Sequence, residues 1–533
     1  MNAYSIVVFL SFIIYIIIGN FAGRKVHNLE DYYVSGRNAP TMLIVGTLIS
    51  SFASTELFYG DTAFSYDGYV MLLVILATIM IAGYSAGTLY FGRYVRRSKA
   101  LTVPEYFGKR FQSRKIQSLA GVITIFTVTA YLLAATQGTN LLMSELTGLE
   151  YKECLILTWL VYTAFTLYSG SRGIILTETI MFIIILLGIV IAAPFIFHNT
   201  GGGFAAVIEK LATFEGKPGI VSYHGLLGPW MINASDSVIW AITFGISWGI
   251  AIAVSPWQAS RYLMAKSEHV VLRAGAVATM ITILYQTLVF FMAGSINLVN
   301  PGIQPSEKAF IWAVYHLLPS SLSVLLLVGI MAAGLSSAST FLSLIGFSAT
   351  KDVIEIKKNE KTMLRISRGV MLVSSLVALG LAYYQPPAVL WITYFAGTAI
   401  AAAWGPVALM SVWSKRITSS GALWGMLVGF VGNVGAKLIE KMTAFTFPML
   451  LSPFFIGLLA SIMTILVVSS LTKVTDKEKE YRKTLLIMPK EELDPKEIKR
   501  TLLYGKVMIG AGILTLVIFM FAYGIPYFKA TAI

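Results

Sequence analysis

The chain has 533 residues, of which 56% are hydrophobic and 12% are charged, with a mean hydropathy of +0.75. Soluble domains carry about 25% charged residues, so this composition excludes a soluble protein. A single cysteine, Cys154, excludes an internal disulfide and any metal site built from several thiolates. The five histidines show no metal-binding spacing, and we expect no enzyme activity.

Apolar stretches of about 17–25 residues, the length that a membrane helix needs, recur along the whole chain. There are fourteen, near residues 3–23, 39–62, 68–91, 117–143, 152–170, 173–198, 236–258, 270–299, 320–350, 367–384, 387–413, 420–438, 446–471 and 504–524. They predict an all-α integral membrane protein. The first stretch lacks a basic segment before it and a cleavage site after it, so we expect a retained helix.

The basic residues that give the net charge of +14 are concentrated in particular loops between these stretches. If the N-terminus lies outside, 33 of the 40 Lys and Arg residues fall in inside loops and 7 in outside loops. The positive-inside rule produces this asymmetry, so the charge indicates topology and not a nucleic-acid partner. We expect a multi-pass protein of the cell membrane, in the lipid bilayer, with both termini outside.

The second stretch has a polar centre, Ser50-Ser51-Phe52-Ala53-Ser54-Thr55-Glu56. Four hydroxyls and a carboxylate near the middle of a membrane helix are costly unless they line a cavity. Serine and β-branched residues also weaken the helix there. We predict a discontinuous helix whose freed backbone groups face a site near the middle of the membrane.

The stretch 236–258 carries a related interruption. Gly245 and Gly249 flank Trp248, and Pro256 follows. Proline lacks an N–H and disrupts the turn before it. Two interrupted helices five spans apart are typical of an inverted repeat of five plus five helices.

This pattern divides the chain into five parts. They are an N-terminal helix and first inside loop over 1–38, a first repeat over 39–198, an outer loop over 199–235, a second repeat over 236–413, and three accessory helices over 414–533. The inside stretch 472–503 is rich in Lys, Glu and Asp, which is typical of a solvated amphipathic linker. A regulatory or partner-binding segment is the alternative for it.

A second polar patch lies in the stretch 320–350. Ala333, Ser336 and Ser337 stand at i, i+3 and i+4, on one side of a helix. Two hydroxyls and a nearby carbonyl without formal charge suit a weakly held monovalent cation, because hard cations take oxygen ligands. The alternative is helix packing, with both hydroxyls bonded back to the i−4 carbonyls.

Several segments, by their order and spacing from about residue 31 to 470, resemble the sodium/solute symporter family. They include Asp31-Tyr32-Tyr33-Val34-Ser35-Gly36-Arg37, Leu101-Thr102-Val103-Pro104-Glu105-Tyr106-Phe107, Ser169-Gly170-Ser171-Arg172-Gly173, Ser255-Pro256-Trp257-Gln258, Ala332-Ala333-Gly334-Leu335-Ser336-Ser337 and Trp404-Gly405-Pro406-Val407. Within that family the chain is most similar to the sodium/proline symporter.

The resemblance implies a ten-helix core in two inverted repeats, with Na⁺ as the coupling ion. It places sodium between the first broken helix and the third helix of the second repeat. The implied ligands are the carbonyls of Ser50 and Ala53, together with Ala333, Ser336 and Ser337. The last three are the residues already indicated by their shared helix face.

The family also has a carboxylate near the cytoplasmic end of the fifth core helix. Glu178 matches it, and the resemblance implies a role on the path of sodium release. The alternative for Glu178 is an interfacial acid, solvated at the end of a helix.

The candidate substrate-binding residues are Ser54, Thr55, Glu56, Trp248, Ile252 and Pro256. Phe52 replaces an acid of the sodium/proline symporter, and Ile252 replaces its tyrosine. Sugar-transporting relatives have a binding glutamine where this chain has Leu57, which argues against a sugar. The resemblance thus implies a pocket that is less polar than that of the proline symporter.

The leading interpretation is sodium-coupled uptake of a small organic solute. The chain has no Walker A sequence, which argues against ATP-driven transport. Because the positive ends of half-helices suit an anion, a monocarboxylate is the first choice. A proline-like amino acid and a pantothenate-type carboxylate are alternatives, and an ionised Glu56 would repel a carboxylate.

A solute-sensing membrane receptor is the alternative from a different class. Some relatives join this module to a kinase, but the chain ends at Ile533, just after its last apolar stretch. We therefore expect no such domain. The sequence does not indicate an oligomeric state.

Overall fold

The computed structural model describes residues 3–24, 26, 28–52, 55–228, 231–354, 359–384, 389–443 and 445–531. Within these ranges the regular structure is helical, apart from two isolated β-bridges. Eleven helices in this part of the chain are long and apolar enough to cross a membrane. The all-α membrane class is confirmed, whereas the count of fourteen spans, the inverted repeats and the five-part division stay predictions.

The main helices are numbered here in chain order. They are α1 Ala3–Gly23, α2 Thr41–Ser50, α3 Leu57–Arg97, α4 Arg114–Thr147, α5 Tyr151–Gly201, α6 Ala234–Val254, α7 Pro256–Met264, α8 Glu268–Ser295, α9 Ser320–Phe347, α10 Glu360–Tyr384, α11 Val389–Trp413, α12 Ser419–Met442, α13 Pro453–Leu471 and α14 Pro495–Phe519. Shorter helices connect them at Leu29–Val34, Val103–Arg110, Phe204–Ala212, Ala309–Leu317 and Asp476–Leu486.

Two of the longest helices change direction at a glycine with a positive φ. Gly68 in α3 has φ +127°, and Gly170 in α5 has φ +55°. A side chain is strained in such a backbone. At Gly170 it would also lie 2.5 Å from a ring carbon of Tyr32. Each kink lies close to a boundary between two predicted stretches.

The chain leaves the helix between α2 and α3, as the polar centre predicts. The amide of Ser51 bonds to Thr47 O at 3.1 Å and that of Phe52 to Ile49 O at 3.0 Å, which tightens the last turn. Helical structure resumes at Thr55 and continues into α3. The candidate residues Ala53 and Ser54 lie outside the described residues.

The second interruption is only partly as predicted. The helix runs without a break through Gly245 and Gly249, and it ends at Val254. Ser255 has φ −58° and ψ 150°, and Pro256 begins α7, a position that proline favours because it needs no N–H there. The predicted interruption is therefore correct at the proline and wrong at the two glycines.

Those two glycines serve close helix packing instead. A Cβ on Gly245 would lie 2.9 Å from Ile79 Cβ, and one on Gly83 would lie 2.3 Å from the carbonyl oxygen of Gly249. Small residues let membrane helices approach backbone to backbone. They hold α6 tightly against α3.

The two breaks meet inside the protein. Leu48, in the last turn of α2, offers its carbonyl to the hydroxyl of Tyr84 at 3.1 Å and to Nε2 of Gln258 at 3.4 Å. Tyr84 belongs to α3 and Gln258 to α7. One donor from α3 and one from the second broken helix thus converge on a single backbone acceptor at the end of α2, which the hydroxyl of Ser51 also reaches at 3.1 Å.

The charged stretch 472–503, which is predicted to lie inside, is not the freely solvated linker that its composition predicts. Leu485 O accepts from Arg97 at 2.8 Å, and the carboxylate of Glu492 accepts from the backbone amide of Glu268 at 2.9 Å. Burial at this contact raises the pKa of the Glu492 carboxyl above its ordinary value. The stretch docks on the ends of α3 and α8, where the Arg97–Glu268 ion pair is also buried.

The orientation predicted from the charge asymmetry can be measured by thiol labelling. In a Cys154→Ala background, Tyr223→Cys should react with a membrane-impermeant maleimide on intact cells, because Tyr223 is exposed in the predicted outer loop. Lys477→Cys, on the inside stretch, should react only after permeabilisation. The opposite pattern in both variants would invert the orientation.

Candidate functional site

The break after α2 lies alongside the middle of α9. At one end, the hydroxyls of Thr47 and Thr340 both donate to the carboxylate of Glu178, the second at 2.6 Å. At the other end, a Cβ on Gly334 would lie 2.8 Å from Cγ2 of Thr55. Because both ends of the break are in contact with α9 or its partners, the residues between them lie opposite the middle of α9. The predicted sodium ligands of α2 and α9 therefore stand at the same depth.

Four buried hydroxyls at this depth have no hydrogen-bond partner among the described residues. They belong to Ser50, Thr55, Ser336 and Ser337. Their neighbours Ser339 and Ser343 behave differently, because they bond back to the i−4 carbonyls at 2.8 and 2.9 Å. The bonds back to the i−4 carbonyls that the packing alternative predicts are therefore not formed by Ser336 and Ser337.

An unsatisfied hydroxyl in a protein interior costs about 1–3 kcal/mol. Such a hydroxyl is expensive to bury unless a ligand satisfies it. Oxygen atoms at an unwound segment in a membrane helix are suited to a sodium ion. Ala333 is fully buried one turn before Ser337, so its carbonyl lies on the same side of α9.

An ion pair closes one side of this site. Nη2 of Arg261 donates to Glu178 at 2.9 Å and to the hydroxyl of Thr340 at 2.9 Å. The side chains of Glu178 and Arg261 are 0% and 3% exposed. The Ser336 hydroxyl lies beside the Glu178 carboxylate without a hydrogen bond of good geometry. The alternative of a solvated interfacial acid is therefore wrong for Glu178.

Two cavities lie near the breaks. The first is lined by residues of α3, α6, α8 and α11 and by the break itself: Phe52, Glu56, Asp61, Phe64, Leu73, Leu76, Met80, Trp240, Phe244, Trp248, Phe290, Leu390 and Trp391. It brings together Glu56 and Trp248 of the candidate substrate residues. The ring centroids of Trp248 and Phe52 are 6.2 Å apart in an edge-to-face arrangement.

The second cavity lies on the predicted inner side of the ion pair. Pro256, Arg261 and Thr340 line it, with Tyr33 and Ser171. Pro256 is therefore separated from Trp248, although both belong to the candidate substrate residues.

The two other described candidates line neither cavity. Thr55 packs into the gap that a glycine leaves, since a Cβ on Gly138 would lie 2.4 Å from its Oγ1. Ile252 is buried against α3, where a Cβ on Gly83 would lie 3.0 Å from its Cβ.

Four residues at these sites were not singled out as candidates from the sequence. They are Thr47, Asp61, Arg261 and Thr340. Arg261 stands five residues after Pro256 but beyond the predicted stretch 236–258, so the charge count placed it in an inside loop. Thr340 follows Ser336 by four residues, so it shares the face that the sequence had identified. Asp61 lies inside the predicted stretch 39–62, where a charge is itself a sign of function. Thr47 carries no comparable local signal.

The arrangement can be compared with known proteins. The family model for the sodium:solute symporter family matches residues 32–429, about three quarters of the chain. The chain belongs to the sodium:solute symporter family. Members of this family are sodium-coupled membrane transporters, so the resemblance stated from the segments is confirmed, and the coupling ion is Na⁺.

Curated members of the symporter family are similar over most of their length. The sodium/proline symporter of Escherichia coli (strain K12) is 25% identical over 443 residues, which cover 78% of this chain and 84% of that protein. The sodium/pantothenate symporter of Haemophilus influenzae is 24% identical over 426 residues, covering 77% and 86%.

Among solved structures, a Na⁺-coupled sialic acid symporter in a substrate-bound outward-open state superposes with a TM-score of 0.75. The superposition covers 90% of this chain and 99% of that one at 16% identity. This likeness supports the symporter fold and carries no information on the solute.

Removing the charge of Glu178 should destabilise the protein. Glu178→Gln leaves Arg261 buried without a counter-charge, which lowers the free energy of unfolding by about 3–5 kcal/mol. Thermal unfolding in detergent measures the loss. The double variant Glu178→Met with Arg261→Met should recover most of it, because an apolar pair needs no counter-charge.

Glu209→Gln is the matched control for this measurement. Glu209 is 41% exposed and pairs with Lys529 at 3.6 Å, so its loss should change stability by less than about 1 kcal/mol. A Glu178→Gln protein as stable as the parent would show that the buried pair is not a structural requirement.

Proposed function

We propose that this symporter takes up a small organic solute with sodium bound between the break after α2 and the middle of α9. The proposed ligands are the carbonyls of Ser50, Ala53 and Ala333 and the hydroxyls of Ser336 and Ser337. The single observation that carries this proposal is the group of buried hydroxyls without partners at that depth. Ala53 enters from the family resemblance alone.

Glu178 lies where sodium would leave this site. Its carboxylate is bonded to Thr340, one turn beyond Ser336, and its partner Arg261 lines the second cavity. We propose that sodium passes from the Ser336 and Ser337 hydroxyls towards Glu178 when the ion pair with Arg261 opens. The double methionine variant separates this role from a structural one, because it should fold and yet fail to transport.

The solute is proposed to bind in the first cavity, in contact with Glu56 and Trp248. This cavity adjoins the break through Phe52 and is bounded by α6, so it touches both interrupted helices. Such a position near a break is where transporters of this architecture hold their substrate. For Ser54, Thr55, Ile252 and Pro256 the predicted substrate contact rests on the sequence alone.

The wall of the first cavity bears on the choice of solute. The sequence put a monocarboxylate first, but Glu56 and Asp61 are acidic and no Lys, Arg or His is among the lining residues. Like charges that face each other at low dielectric repel strongly. An amino acid, whose ammonium group can meet the carboxylates, fits this wall better than a monocarboxylate or a pantothenate-type carboxylate.

Energetically, one sodium is enough for such uptake. Moving one positive charge inward across about 100 mV releases about 2.3 kcal/mol, and the sodium concentration gradient adds to this. For a solute without net charge both contributions act together. One-to-one coupling to a monoanion would lose the electrical contribution, because the pair that moves is neutral.

The sodium site can be tested by uptake in proteoliposomes. An inward sodium gradient should drive accumulation of the transported solute. Ser337→Ala should raise the sodium concentration for half-maximal uptake by about tenfold, which corresponds to about 1.4 kcal/mol for one lost ligand. Ser336→Ala should act in the same direction.

Ser339→Ala is the control on the same helix. Its hydroxyl bonds to Leu335 O and to Tyr15, so no ligand role is proposed for it, and its sodium dependence should stay within twofold of the parent. If both Ser336→Ala and Ser337→Ala keep the parent's sodium dependence, these hydroxyls do not bind the coupling ion.

A further inference from the structure

The charged stretch 472–503 (the strap) joins two groups of helices at their predicted inner ends. Its first half is fastened to α11 and α12. The buried carboxylate of Glu478 accepts from the backbone amide of Ser419, at the start of α12, at 2.9 Å. Nε of Arg482 donates to the carbonyl of Val412, in the last turn of α11, at 2.8 Å.

The second half of the strap is fastened to α8. The carbonyl of Glu492 accepts from Nε2 of His269 at 2.9 Å, and its carboxylate accepts from the amide of Glu268 at 2.9 Å. Where α14 begins, the carboxylate of Glu497 accepts from Nη2 of Arg273 at 2.5 Å. The strap therefore reaches from α11 and α12 on one side to α8 on the other.

The first half of the strap is a capped helix that also contacts α3. The helix Asp476–Leu486 begins with a capping box, in which Thr475 and Glu478 each bond to the backbone amide of the other. Leu485 is buried near the opposite end of this helix, and its carbonyl accepts from Arg97 of α3 at 2.8 Å. One short helix thus holds the inner ends of α3, α11 and α12 together.

Arg110 connects the strap to a neighbouring helix. This residue ends the short helix Val103–Arg110, and its side chain is buried. Its Nε donates to the carbonyl of Ser411 in α11 at 2.5 Å, and its Nη1 donates to the carbonyl of Glu478 at 3.5 Å. The hydroxyl of Tyr106, from the same short helix, lies 2.7 Å from the Ser411 hydroxyl. The short helix is therefore held between α11 and the strap.

This short helix also forms part of the second cavity. Residues 101–104, which include its first turn, line that cavity. The hydroxyl of Thr102 donates to Asp352 at 2.7 Å, in the wide helical turn Ser348–Val353 that follows α9. The wall at 101–104 is thus attached to α9 on one side and to α11 and the strap on the other.

The strap is the attachment of this wall that is closest to water. Leu485 is the single apolar side chain that the strap buries, and most of its other side chains are exposed. Segments with few buried apolar contacts and exposed hydrogen bonds open at the lowest free energy. Among these attachments, the strap is therefore the one that detaches most readily.

We propose that the strap is a latch on the second cavity. When docked, it holds the wall at 101–104 and keeps the cavity closed towards the predicted inside; when it detaches, the path by which sodium and solute leave is open. This inference rests on the proposed function, because it takes the second cavity to be the release path. It gives the charged stretch a regulatory role, since whatever detaches the strap favours the inside-open state.

A cysteine in the second cavity reports whether the cavity is open. Ser260 lines the cavity and is 7% exposed. In a Cys154→Ala background, Ser260→Cys should therefore react slowly with a membrane-impermeant maleimide while the strap is docked. Inverted membrane vesicles, prepared without sodium and without solute, present the predicted inside face to the reagent.

Detaching both halves of the strap should expose this reporter. Arg482→Ala together with Glu492→Ala should raise the labelling rate of Ser260→Cys by about tenfold. A tenfold shift needs about 1.4 kcal/mol, which is less than two hydrogen bonds to charged groups contribute. Equal labelling of the parent and the double variant would overturn the proposal. Arg482→Ala alone, which keeps the contacts to α8, should raise labelling by about threefold and serves if the double variant does not fold.

The matched control is Lys483→Ala together with Glu491→Ala. It removes the same charges from adjacent positions that are exposed, so its labelling should stay within about twofold of the parent. Glu492→Gln keeps an acceptor for the amide of Glu268 and should also label like the parent. If the control raises labelling as much as the strap double variant does, the effect belongs to the charge and the proposal fails.

General loosening of the protein is detected by a second reporter. Ser237 is fully buried at the predicted outer end of α6. Ser237→Cys should therefore gain no reactivity towards a membrane-permeant maleimide when the strap is detached. A gain as large as that at Ser260→Cys would show that the strap stabilises the whole protein and not one cavity wall, which would overturn the proposal.

Sodium flux separates the two levels of failure. Exchange of radioactive Na⁺ across proteoliposomes is measured before and after Ser260→Cys is labelled, and the label should block it. A label without effect on the flux, with faster labelling in the strap double variant, would contradict the release path and leave the latch standing. A label that blocks the flux, with equal labelling rates in the parent and the double variant, would contradict the latch and leave the release path standing.

Discussion

In a lipid bilayer every backbone group must find its partner within the protein. A broken membrane helix exposes several such groups at once, so a break is tolerated only where other elements supply donors and acceptors. In this chain Tyr84 and Gln258 supply donors to the end of α2. The second broken helix therefore helps to complete the first, and these bonds link α3 and α7 to the end of α2.

Buried charged groups, like backbone groups, need partners within the protein. The ion pair between Glu178 and Arg261 links α5 to α7, and the hydroxyls of Thr47 and Thr340 attach α2 and α9 to it. One buried pair thus connects four helices on one side of the proposed sodium position. On the other side, Glu56 and Asp61 face a cavity without a basic residue in its wall.

Much of the fold could be predicted because a membrane helix is specified by a continuous run of apolar residues in the sequence. Runs of apolar residues located the helices, and helical spacing alone placed Ser336 and Ser337 on one face. The Glu178 network could not be found in this way, since Thr47 and Arg261 stand 131 and 83 residues from Glu178. Contacts at that separation leave no periodic signal.

The break predicted at two glycines is wrong because a glycine can serve two purposes. Gly245 and Gly249 suggested a break because glycine weakens a helix, yet the missing side chain here permits backbone contact with α3. Trp248 and Ile252 share a helix face, but only the first reaches the cavity, because their depths along α6 differ. Sequence spacing predicts which face of a helix a residue lies on. It does not predict which residue of another helix packs against it.

The close contact of α3 with α6 has a mechanical consequence. Helices whose backbones touch through glycine cannot slide past one another without a collision, since packed interiors respond to strain as solids do. The wall that carries Met80 and Trp248 therefore keeps its shape while the transporter changes conformation. Under the proposed function, solute then enters and leaves by displacement of the opposite wall, where Leu390 and Trp391 lie near the start of α11 and Trp391 is 57% exposed. The glycines thus make one half of the cavity wall rigid, and the movement falls to the other half.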